Sequence, residues 1–82
     1  MKGYDYTVDN MVEVINNKIA DYERKINACQ YVIDKREEEI KAERYDFSIQ
    51  LYKSTQRAMQ AQIDVYYQAI KDMEEVKEAM FL

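Results

Sequence analysis

The chain has 82 residues with one cysteine, no histidine and no proline, and a formal net charge of -4 at pH 7. One cysteine excludes an internal disulfide, and the lack of histidine removes the usual zinc and haem ligand sets. Basic and acidic residues number 4 and 5 over residues 1–30, 4 and 6 over 31–46, and 4 and 5 over 47–82, so no basic stripe exists to neutralise phosphates and no nucleic-acid partner is expected.

From the N-terminus, the first signal is a start of helix near residue 7. Thr7 can cap it, with Tyr6 and Met11 as a hydrophobic staple. A heptad run follows. Val12, Ile19, Ile26, Ile33 and Ile40 fall at position a, and Val8, Ile15, Tyr22, Cys29 and Arg36 at position d. This spacing puts one stripe on a helix and asks for a partner helix along its length. Helix one is expected over about residues 7–44.

The repeat then slips by two residues between Ile40 and Ile49. A slip of two turns the stripe by about 200° at ~3.6 residues per turn, unlike the three- or four-residue insertions that a continuous coiled coil absorbs. A turn is therefore expected at about 45–47. Asp46 can tolerate a left-handed conformation, and Ser48 can cap the next helix with Phe47 and Tyr52 as its staple.

Helix two is expected over about residues 48–80. Its a positions are Ile49, Gln56, Ile63, Ile70 and Lys77, and its d positions are Tyr45, Tyr52, Met59, Tyr66, Met73 and Met80. Folding the chain about Asp46 brings the two runs into one register. Ile40 meets Tyr52, Ile33 meets Met59, Ile26 meets Tyr66, Ile19 meets Met73 and Val12 meets Met80. Cys29 meets Ile63, and Tyr22 meets Ile70. The polar exceptions Arg36 and Gln56 also face each other, Ile15 meets the stem of Lys77, and Glu37 lies near Lys53. The fold class expected is all-α: an antiparallel helical hairpin, a two-helix coiled coil, in a single domain over residues 1–82. The alternative is one continuous helix of roughly 70 residues pairing antiparallel with a second copy, which has the same layers but ignores the slip.

The g and c positions beside the seam carry a second apolar set: Met11, Val14, Ala28 and Val32 on helix one, and Leu51, Ala58, Val65, Ala69 and Val76 on helix two. In an antiparallel hairpin these share one face, and an apolar face of this extent is rarely left in water. These nine residues are the expected dimer interface, closing a four-helix bundle with a second copy; the alternatives are a docking surface for a different protein and a monomer with a wide amphipathic stripe. A chain this short is also marginal as a single core, and without disulfide or metal, the remaining routes to stability are association or unusually good helix packing.

Chemistry is hard to find. Di-metal sites in helix bundles need glutamates and a Glu-x-x-His pair projecting inward. Here histidine is absent and Glu37, Glu38 and Glu39 are consecutive, so they fan around the helix. Cys29 lies on the seam, whereas a reactive thiol needs exposure and a positive neighbour. No glycine loop or nucleophile–base pair is present. No enzyme activity, no cofactor and no metal are expected.

Eight tyrosines in 82 residues is a high count, and tyrosine is enriched at interfaces. Tyr45 and Phe47 at the turn, with Tyr31 and Tyr67 away from the seam, are the candidate partner-binding residues. No apolar run approaches the roughly 20 residues of a membrane span, and the N-terminus MKGYDYTVDN lacks the apolar middle of a secretory signal, so a cytoplasmic protein is expected. The richness in Ile, Lys, Asn and Tyr points to AT-rich coding, as in low-GC bacteria and their phages.

The expected function is a non-catalytic interaction module: a homodimeric adaptor, or an inhibitor of a larger protein of the kind phages encode. The alternatives are a structural protein of a virion or helical complex, and an acidic nucleic-acid mimic, for which -4 is thin. The architecture also resembles the small WXG-type secreted helical hairpins, which dimerise. That family's turn carries Trp-x-Gly, and this chain has no Trp and only Gly3. The family's C-terminal Tyr-x-x-x-Asp/Glu signal is also absent, because Tyr67 is followed four residues later by Lys71.

Overall fold

A computed structural model of the chain describes the backbone of residues 2–81 and the side chains of residues 8–81. It contains two α-helices, α1 (Lys2–Ala42) and α2 (Asp46–Ala79), packed antiparallel against each other. With no proline and a composition rich in good helix formers, nothing interrupts either run. The molecule is a rod of 67 × 15 × 12 Å, one helix layer thick.

The core is the seam. Ile26, Cys29, Ile63 and Ile70 form its buried centre, with Ile19, Tyr22, Ile33, Met59 and Tyr66 packed around them. Ile63 is the most enclosed of the buried residues, at 3% exposure. Tyr22 and Tyr66 stack at 5.8 Å between ring centroids, tilted by 32°. The expected register is present: Cys29 Sγ lies 3.6 Å from Gln62 Oε1, beside Ile63. Towards the open end Ile15 is buried, and the Lys77 ammonium reaches past it to donate to Asn16 Oδ1 at 3.0 Å.

The polar layer differs from a simple Arg36–Gln56 contact. The Gln56 side-chain amide donates to the Ile33 carbonyl oxygen at 3.1 Å and to Glu37 at 3.0 Å, so it straddles the height of Arg36. Arg36 instead pairs with Glu39 on its own helix at 2.7 Å and lies 5.5 Å over the Tyr52 ring. An exposed lysine gains little from one ion pair, and the Gln56 amide takes the carboxylate expected to face Lys53.

The helix ends also differ from expectation. α1 runs through residue 7 to Lys2, so Thr7 does not start it. Extending a helix adds one hydrogen bond per residue fixed, which outweighs a weak capping preference. The expected Thr7 cap and the Tyr6 half of its staple fall on side chains outside those described.

The turn occupies residues 43–45 rather than 45–47. Its N-cap is Tyr45, extended at φ -99 and ψ 123, without a side-chain cap. Ser48 and Asp46 already lie inside α2, and among the described residues no non-glycine residue has positive φ. The side chain that orders the turn is Glu43: its Oε1 accepts from the backbone N–H groups of Arg44 at 2.8 Å and Tyr45 at 3.1 Å, ahead of the first turn of α2. A carboxylate at this point satisfies turn donors and sits favourably near the positive end of α2. Phe47 is 75% exposed and so does not staple onto Tyr52.

Candidate interaction surfaces

The seam divides the surface of the rod into two faces. On one, Met11 and Val14 of α1 and Val76 of α2 line an apolar groove of about 320 Å³ with Ile15, Met80 and Asn10. Further along the same face, Val65 lines a second apolar depression with Ala61, Gln62 and Tyr66. Leu51, Val65, Val76, Met11 and Val14 are all about half exposed or more. Ala28 and Ala58 are exposed, and Val32 and Ala69 are half-buried. The nine residues of the expected dimer interface thus stand at the surface, unpaired by the seam.

The α1 half of this face also carries charges at the same g and c positions, namely Lys18, Asp21, Lys25, Lys35 and Glu39. The Lys25 ammonium lies 5.8 Å from the ring centroids of both Tyr22 and Tyr66, capping the aromatic pair from this side. Asp21 pairs with Arg24, and Glu39 with Arg36.

The opposite face is polar. Its main feature is a trough of about 560 Å³ lined by Glu23, Asn27, Tyr67, Lys71 and Glu74, floored by Ile26 and Ile70. Tyr67 is exposed here, and Tyr31 is exposed on the outer side of α1. The tip of the rod holds Tyr45, 74% exposed, and Phe47, with Leu51 one turn on. The four candidate partner-binding residues therefore lie on three separate surfaces, and only Tyr45 and Phe47 are brought together. Phe81, exposed at the other end of α2, was not among them; it sits on the polar side by heptad position, which is a weak signal.

Cys29 is buried, with Gln62 as its neighbour. Among the described residues no group of three or more His, Cys, Asp or Glu side chains is placed to hold a metal ion. Among the described residues, no helix is long and apolar enough to cross a membrane.

No family model matches the chain, and no curated protein or solved structure matches it either.

Proposed function

We propose that this protein is a non-catalytic protein–protein interaction module. It is a small cytoplasmic homodimer, closed as a four-helix bundle, that acts as an adaptor or as an inhibitor of a larger protein, the kind of protein that phages encode. One observation carries this reading: among the described residues, more large apolar side chains stand exposed than are buried. Met11, Val14, Leu51, Val65 and Val76 share one face, and Tyr45 and Phe47 share the tip. Exposed apolar area on this scale marks surfaces made for contact. The face suits a second copy of the chain. The tip, where large aromatic side chains offer contact area at small entropic cost, suits the larger protein.

The experiment is a comparison of variants against whichever partner the unmodified protein captures. Tyr45→Ala with Phe47→Ala should weaken that binding by about thirtyfold or more, while helicity and oligomeric state stay unchanged. Unchanged binding by this variant and by Tyr67→Ala would remove both candidate surfaces. Turnover of any substrate by the purified protein would contradict the non-catalytic reading.

The rod shape, 67 Å long, favours one second reading, a structural part of a virion or helical complex. The two separate in solution: an assembly protein polymerises with concentration, and an adaptor stops at the dimer.

A further inference from the structure

We propose that the second copy lies antiparallel to the first, with the two turns at opposite ends, about a twofold axis passing beside Ala28 and between Gln62 and Val65. This deepens the dimeric reading above, rests on it, and specifies its geometry.

The chain exposes 6527 Å². A compact monomer of its 9.9 kDa exposes about 5,200 Å². The excess exceeds the roughly 800 Å² that each partner buries in a standard interface. A one-layer rod that pairs face to face becomes a two-layer body.

The face is also complementary to itself in one alignment. A twofold axis lying in the interface and perpendicular to the helices sets α1 across α1 and α2 across α2, running opposite ways. On α2, one alignment brings Leu51 of one copy to Val76 of the other and Ala58 to Ala69. It also brings Thr55 to Asp72 and Gln62 to Val65. Large apolar residues meet, small meet small, and Asp72 meets the hydroxyl of Thr55, while Gln62 lies against Val65 beside the axis.

On α1 the same axis brings Lys18 of one copy to Glu39 of the other and Asp21 to Lys35, sets Ala28 against itself, and lays the stem of Lys25 against Val32 with its ammonium over the Tyr22–Tyr66 pair. Lys18 and Lys35 make no ion pair within the described residues of one copy, and each would join an existing pair, Arg36–Glu39 or Asp21–Arg24. The α1 and α2 patterns are independent in sequence. Their midpoints nevertheless stand at one height on the rod, because Cys29 packs in the core with Ile63 and reaches Gln62. A single rigid axis therefore satisfies both.

The neighbouring alignments fail. A slide of one heptad in one direction sets Lys25 against Lys25 and Val14 near Lys35. The opposite slide carries Val14 and Val76 beyond the ends of the partner helices that they face in the favoured alignment. With the turns at the same end, α1 faces α2 at equal height, and Lys35 and Glu39 meet the uncharged Ala58 and Thr55. The antiparallel alignment also places the two Tyr45–Phe47 tips at opposite ends of the bundle, roughly 50 Å apart at 1.5 Å per residue. The dimer then presents two identical contact points facing away from each other.

The test is thiol crosslinking of the full-length chain with Cys29→Ala as background, after circular dichroism shows that the background is helical. Ala28→Cys alone should crosslink to its own kind through a short bifunctional thiol reagent. Leu51→Cys mixed with Val76→Cys should give a covalent dimer. Leu51→Cys mixed with Ala42→Cys should not. Within one chain, positions 51 and 76 are about 37 Å apart along α2, so no internal link competes. A dimer that crosslinks through 51 and 42 but not through 51 and 76 overturns the antiparallel arrangement and leaves the dimeric reading standing. A monomer in light scattering at high micromolar concentration, for both the unmodified and the background protein, overturns both.

Discussion

The side-chain amide of Gln56 donates to the backbone carbonyl oxygen of Ile33 across the seam, at 3.1 Å. This is a polar tie between the helices in an otherwise apolar stretch, and the same amide also reaches Glu37. An apolar seam with a heptad repeat tolerates sliding by a heptad, whereas a specific hydrogen bond does not. Gln56→Ala is expected to lower stability by about 1–2 kcal/mol, the scale of one neutral and one charge-assisted hydrogen bond partly open to solvent. Urea unfolding measures this, and a double-mutant cycle with Glu37→Ala should show coupling between the two sites.

The contrast between Ile63 and Val65 separates folding from association. Ile63 is enclosed by the seam, whereas Val65, two residues on, is 65% exposed. Ile63→Ala should cost about 2–5 kcal/mol by cavity formation, enough to unfold a small domain. Val65→Ala should leave the unfolding of the isolated hairpin nearly unchanged and weaken only self-association. Thermal melts over a concentration series distinguish the two effects.

Glu43 holds the turn. Its carboxylate accepts from the Arg44 and Tyr45 N–H groups, where α2 has no side-chain cap at Tyr45. Glu43→Ala should destabilise the hairpin by about 1 kcal/mol, the scale of a lost side-chain hydrogen bond to turn backbone. Ser48→Ala, inside α2, should cost nothing comparable. Equal losses from the two substitutions in urea unfolding would contradict this account of the turn.

The seam could be read from the sequence because burial on a helix follows a repeat. Ile26, Cys29, Ile63 and Ile70 are apolar at heptad spacing, and they form the buried centre. The two-residue slip marked the break to within two residues. The turn itself was misplaced because caps are weak signals: Ser48 is a good cap by type but lies inside α2, and Glu43 orders the turn by binding the N–H groups of Arg44 and Tyr45 instead. The partners of Arg36 were equally hidden, since the choice between Gln56 across the seam and Glu39 on its own helix depends on side-chain geometry and not on spacing. On the surface, the apolar members of the g and c face were visible by residue type. The charges among them, Lys18, Asp21, Lys35 and Glu39, acquire meaning only when a second copy is placed across the face.

Those charges give a separate expectation. Lys35→Glu sets two carboxylates against each other at both symmetric ends of the interface. It should weaken the dimer by up to about tenfold, the scale of two partly exposed pairs. Adding Asp21→Lys to the same chain restores opposite signs and should recover most of the loss. Sedimentation or fluorescence dilution measures both constants. A double variant no tighter than Lys35→Glu alone would contradict the pairing.

Self-association through the exposed apolar face is tested most directly by sedimentation equilibrium of the unmodified chain beside Val65→Glu with Ala69→Glu. The unmodified protein should sediment at twice its 9.9 kDa chain mass at micromolar concentrations, and the double variant at the single mass with its helicity kept. A single-chain mass for the unmodified protein up to high micromolar concentration, or an intact dimer with two glutamates in the face, would contradict the account.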